Sequence, residues 1–137
     1  KPKIMINELA KQIHENAKGK GFYERERNFS ETLMLIVSEL SEAQEADRKN
    51  HYAKKENFLQ RVAEVESNES LRKHLSIDNP YSHYFEVFIK NSIEDELADA
   101  LIRILDLSES IGMDMEWHIK HKMKYNSTRP HKHGKNY

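Results

Sequence analysis

From Leu33 to Leu40 the apolar residues Leu33, Ile36, Val37 and Leu40 fall at i, i+3, i+4 and i+7, the spacing of one helical face. The pattern predicts a helix that starts near Ser30, a good N-cap residue, and runs on into the charged stretch SEAQEADRKN. Three further segments share this period. Leu9 and Ile13 are the inward positions of a first helix over roughly 4–17, ended by GKG at 19–21. Ile93, Leu97, Ala100, Ile104, Leu107 and Ile111 form the stripe of a third helix, which opens near Ser92 in the capping-box-like SIED and stops at Gly112. A fourth begins at Asp114 and carries Trp117, Ile119 and Met123 as far as NSTRP.

Residues 51–91 follow a less regular pattern. They predict a short helix around Phe58, Val62 and Val65, then a turn at SIDNPYS. An aromatic stripe of Tyr81, Tyr84, Phe85 and Phe88 follows at helical spacing, and such a stripe reads as core before it reads as a base-stacking surface. With only four glycines and three prolines, and little β-branched alternation, the chain is expected to be all-α. The expected fold is a helical bundle of four main helices, with an inserted helical segment between helices two and three. A length of 137 residues without a composition break suits a single domain, one that buries about two-thirds of its unfolded surface.

Two acidic pairs interrupt this pattern. Leu35, Glu39 and Glu42 follow one i, i+4, i+7 line, so two carboxylates continue a line begun by a leucine. Glu96 and Asp99 lie beside the stripe of helix three. Residues three apart on a helix are close enough for each pair to converge on one point. If the helices pack antiparallel, four carboxylates meet, and in a partly dry space they repel unless cations join them. An all-oxygen donor set suits Mg²⁺, or Mn²⁺, whose open positions take water and phosphate oxygens. The bland reading is a solvated face, with Arg103 at i+4 pairing with Asp99.

Charge and composition narrow the classes. The net charge is −1, yet Glu94 to Glu116 holds eight acids against Arg103 alone, and Trp117 to Tyr137 holds six Lys and Arg and no acid. The distribution suits a cation and an anion held side by side, but charge alone favours the blander reading of mutual neutralisation within the fold. The absence of cysteine excludes disulfides and thiolate metal sites and suits a reducing compartment. No apolar run approaches the ~20 residues of a membrane span, and no signal-peptide core opens the sequence, so a cytoplasmic protein is expected.

The segments SELSEAQEADRK and EDELADALIRILDL resemble the E-x-x-E and E-x-x-D motifs of the MazG-type nucleotide pyrophosphohydrolases, all-α enzymes of nucleoside triphosphate breakdown. The ending KMKYNSTRPHKHGK is similar to the basic segment after helix four in many members. The resemblance runs from about Phe29 to Lys135. It implies Mg²⁺-dependent cleavage of a nucleoside triphosphate between the α and β phosphates, giving a monophosphate and pyrophosphate, in a homo-oligomer (dimer or tetramer). On this sequence it implies Glu39, Glu42, Glu96 and Asp99 as metal ligands, with Glu39 or Glu42 orienting the attacking water. Lys120, Lys124, Tyr125, Asn126 and Arg129, and from the tail His133 and Lys135, are the implied contacts to phosphates or sugar. Two departures are visible. Ser38 stands where members often carry a further Glu, and 53 residues separate Glu42 from Glu96, far more than in many members.

Other readings stand beside this one. A di-iron bundle needs Glu-x-x-His on two helices, and neither Glu39 nor Glu96 has a histidine three residues on. A non-enzymatic helical module that binds nucleic acid or a protein through its basic tail is the main alternative, although the near-neutral total charge argues against stable nucleic-acid binding. Trp117 reads as a core or interface residue. His118 and His121 lack a clear third ligand and read as surface, while His131 and His133 read as solvated tail. Phe22 and Tyr23 either contact a base or staple helix one to the bundle.

Overall fold

The computed structural model describes residues 5–135, without the side chain of His133. Those residues form an all-α fold of seven α-helices and one short 3₁₀ helix. The helices are α1 (Ile6–Gly19), α2 (Phe29–Arg48), α3 (Lys55–Glu66), α4 (Glu69–His74), α5 (Pro80–Phe88), α6 (Ile93–Ser110) and α7 (Met115–Ser127). The 3₁₀ turn follows at His131–Gly134. The four main helices of the sequence reading are α1, α2, α6 and α7. The stretch expected to hold one short helix and an aromatic stripe holds three helices, α3 to α5.

Local chemistry sets the ends. Asn28, not Ser30, caps α2, its Oδ1 accepting the Glu31 N–H at 3.1 Å. Ser92 Oγ accepts the Asp95 N–H at 3.2 Å, and Asp95 Oδ2 reaches back to the Asn91 N–H at 2.9 Å, a capping box shifted by one residue. Gly112, at φ 68°, ends α6 while the Met113 N–H returns to the Ser108 carbonyl at 2.8 Å. Asp114 Oδ1 caps α7 by accepting the Trp117 N–H at 3.0 Å.

The described residues group into two compact units. One comprises the chain up to Thr32 together with that from Ile102 onward; the other is Leu33–Leu101. In the first, α1 packs on α7, and the Asn7 amide joins them. It donates to Asp114 Oδ1 at 2.7 Å and accepts the Glu116 N–H at 3.1 Å. The same unit buries Asp106 of α6 against three donors. His14 Nδ1 lies 2.8 Å from one of its oxygens, and the Tyr23 hydroxyl donates to the other at 2.7 Å. Arg27 Nη1 approaches that second oxygen at 3.4 Å. A carboxylate only accepts, which places the imidazole proton on Nδ1. Tyr23 thus staples the loop after α1 to α6, whereas Phe22 is exposed. Burial, then the hydrogen bond to Asp106, raises the phenol above its ordinary pKa.

In the second unit α3 packs on α5 through Phe58, Val62, Val65 and Tyr84, flanked by Leu71, Ile77, Phe85, Phe88 and Ile89. The aromatic stripe is therefore core, although Tyr81 at its edge is exposed and meets Phe58 edge to face at 5.1 Å. The base of this segment is tied shut. Lys54 N–H donates to the Phe88 carbonyl at 2.9 Å and Ile93 N–H to the His51 carbonyl at 3.0 Å. Ala53 N–H donates to Glu94 Oε2 at 2.9 Å, a bond that holds the Glu94 carboxyl below its usual pKa. Where chain enters and leaves, Asn50 and Asn91 adopt φ 52° and 61°, a left-handed conformation that Asn tolerates better than most residues.

Candidate metal centre

The buried line of α2 differs from the expected one. Thr32, Ile36, Glu39, Ala43 and Ala46 are buried at a 4-3-4-3 spacing, while Leu33, Val37 and Leu40 are exposed and Leu35 is half-buried. The expected inward face, Leu33 to Leu40, holds true only for Ile36. The N-cap Ser92 and, on α6, Glu96, Ala100 and Leu105 are among the buried residues, and the stripe residues Leu97, Ile104 and Ile111 are exposed. Trp117, Ile119 and Met123 of α7 are likewise exposed, so Trp117 is not a core residue.

The two buried lines carry the site. Glu39 on α2 is 7% exposed and Glu96 on α6 is 4% exposed. Their carboxylates and that of Asp99, one turn along α6, offer oxygens that all lie within 4.8 Å of one another. All three residues belong to the Leu33–Leu101 unit. Asp99 and Glu42 are exposed, and Glu42 stands outside the group of three, lining the adjoining cleft with Glu96.

The electrostatics are lopsided. The Glu96 carboxyl is pushed up to about 7, first by burial and then by the negative charges of Glu42, Asp95, Glu39 and Asp99. No cation and no hydrogen-bond donor is among those influences. A carboxyl in such surroundings either keeps its proton near neutral pH or gains a positive partner. Three carboxylates around one point match an oxygen-binding divalent cation in donor type, and cysteine is absent from the chain.

The other implied site residues lie in the other unit. Lys120 donates to Glu116 Oε1 at 2.7 Å, one turn back on α7, which holds that buried carboxyl below its usual pKa. Lys124 and Tyr125 are exposed, and Asn126 and Arg129 half-buried. The Tyr125 ring carries Lys122 Nζ at 5.0 Å and the Arg129 guanidinium at 5.8 Å, a cation–π cluster. Lys135 is exposed, and the His133 side chain lies outside the described residues. His118 and His121 are exposed as expected, with His121 stacked on Trp117 at 4.0 Å between ring centroids.

The sequence reading missed the cleft beside Glu96, about 360 Å³, whose lining includes Glu42, Glu45, Lys49, His51 and Asn91. Lys49 was traceable, since it follows Glu42 by two turns on the same face of α2. Asn91 gave no local sign, because only tertiary pairing brings residues 51 and 93 together. Comparison with protein-family models, curated proteins and solved structures yields no match to this chain.

Proposed function

We propose that the chain is a Mg²⁺-dependent nucleoside triphosphate pyrophosphohydrolase, releasing a nucleoside monophosphate and pyrophosphate. The observation that carries this reading is the convergence of Glu39, Glu96 and Asp99 within 4.8 Å, with Glu96 raised to about 7 by its acidic neighbours. The sequence resemblance of the two acidic pairs to the MazG-type enzymes supplies the reaction class.

In this reading Glu39, Glu96 and Asp99 hold the cation, with Glu42 at the rim. A bound Mg²⁺ would neutralise phosphate charge, polarise a phosphoryl oxygen and lower the pKa of a bound water. Glu39, buried on α2, is the side chain proposed to orient that water. Lys120, Lys124 and Arg129, with Tyr125 and Asn126, enter this reading from the sequence resemblance alone. Homo-oligomerisation belongs to the same proposal, and the exposed Leu33, Val37, Leu40, Leu97 and Leu101 support it.

The direct test is pyrophosphate release from a panel of standard and modified nucleoside triphosphates, with Mg²⁺ and with chelator. Metal-dependent formation of monophosphate and pyrophosphate in equal amounts is the expected result. Absence of release across the panel, together with salt-sensitive binding of oligonucleotides in chelator, overturns it. That outcome would favour a binding module built on the exposed Lys122, Lys124, Trp117 and Tyr125 of α7.

A further inference from the structure

The cleft next to the carboxylate group contains the basic and amide side chains that an anion would need. Lys49, His51 and Asn91 share it with Glu42, Glu45 and Glu96. Glu96 belongs both to this cleft and to the group with Glu39 and Asp99, so the two are continuous. We propose that Lys49, His51 and Asn91 form a phosphate subsite, which holds the end of a phosphate chain whose other oxygens are on the cation. This rests on the metal-centre reading and names, within it, the contacts that a polyphosphate makes.

Three features support the assignment. The walls are fixed by backbone bonds. His51 N–H returns to the Ala46 carbonyl at 2.9 Å after the left-handed Asn50, and the His51 carbonyl accepts the Ile93 N–H. Asn91, also left-handed, has its N–H held by Asp95, which leaves its side-chain amide as a donor at the cleft. A subsite with fixed walls costs little ordering on binding.

Lys49 is available to a ligand. Its present partner is Glu45 at 3.2 Å, and the two side chains are 67% and 51% exposed. An exposed i, i+4 pair of this kind contributes little to stability, so the ammonium turns toward a phosphate oxygen at little cost.

The charge balance makes the subsite conditional. Three carboxylates against one ammonium and one imidazole repel a free anion, whereas a divalent cation on the carboxylates offsets two of those negative charges and weakens the repulsion. Divalent metal and phosphate chain must therefore bind with positive coupling, each tightening the other.

The experiment uses the full chain with Mn²⁺ and inorganic pyrophosphate as probes. Free Mn²⁺ is followed by electron paramagnetic resonance and pyrophosphate by calorimetry. In the wild type, Mn²⁺ is expected to tighten pyrophosphate at least tenfold. K49Q/H51Q, changed only at exposed positions, should keep its Mn²⁺ affinity within about threefold and lose at least tenfold in pyrophosphate affinity. Unchanged pyrophosphate binding in K49Q/H51Q, with Mn²⁺ binding intact, overturns the subsite and leaves the metal centre standing. Loss of pyrophosphate in K120Q/K124Q but not in K49Q/H51Q overturns it too, placing the anion on α7. No Mn²⁺ binding by the wild type overturns the metal centre itself, a result that the two variants cannot mimic.

Discussion

Two buried carboxyl groups on α6 meet opposite fates. Asp106 is 8% exposed and is surrounded by an imidazole, a phenol and a guanidinium contributed by α1 and the loop after it. Glu96 is 4% exposed and is surrounded by four other acids. A buried charge with good donors is a structural group, because those donors offset its lost hydration. The causes that raise Glu96 are burial and acids alone, and in the proposed function a cation from outside offsets them. The difference separates a carboxylate held by basic and hydroxyl groups from one crowded by other acids, the arrangement on which the proposed function rests.

The largest effects are expected at the candidate metal centre. Glu39→Gln or Asp99→Asn is expected to lower triphosphate turnover at least 100-fold with the far-ultraviolet circular dichroism of the wild type. Near-normal activity in both variants would remove the site assignment.

Asp106→Ala should act in the opposite manner, with a loss of about 2 to 4 kcal/mol in urea denaturation, because it strands Arg27 and His14 without a partner. Its Mn²⁺ affinity should stay within about twofold. A stability loss below about 0.5 kcal/mol would show that Asp106 secures nothing.

Glu96 predicts a pH dependence of definite sign. Its folded pKa, about 7, lies above the ordinary 4.5, so the folded chain holds the proton over a range where the unfolded chain has released it. The contribution of Glu96 to metal-free stability is thus fully present below pH 4.5 and is lost as pH rises through 7. The loss is on the order of 1 to 2 kcal/mol once screening at the site's solvent edge is allowed for. Denaturation midpoints measured at several pH values should show it in chelator, fade with Mn²⁺ and vanish in Glu96→Gln. A metal-free curve that is flat over this range, or one that rises, would contradict the crowding of negative charge around Glu96.

Tyr23→Phe is the smallest change. It deletes the phenol that donates to Asp106 and should cost about 1 kcal/mol, with Asp106 still held by His14 and Arg27. A cost equal to that of Asp106→Ala would mean that the phenol, not the two basic groups, offsets the buried charge.

The legible parts of the sequence were those that depend on neighbours a few residues away. Helix spans follow from the 3.6 period, and the Ser92 and Asp114 caps from side chains that bond the backbone three residues on. The Ser30 assignment failed because Asn28, two residues earlier, offers the same chemistry with the right reach. The i, i+3 acidic pair on α6 was legible for the same local reason. That Glu39 joins it was an inference from two separate stripes, and the structure brings Glu39, Glu96 and Asp99 to one place.

The sequence by itself determined the all-α class, the four main helices and the presence of two acidic pairs, since these rest on propensity, period and capping. Only the tertiary structure decided which face of α2 is covered. Leu33, Val37 and Leu40 make as good an apolar line as Ile36, Ala43 and Ala46, and the choice depends on what packs opposite, which no local pattern encodes. It also decided which buried acids are satisfied. Asp106 and Glu96 look alike in sequence, and their difference comes from donors 79 to 92 residues away for one and from acids on two facing helices for the other.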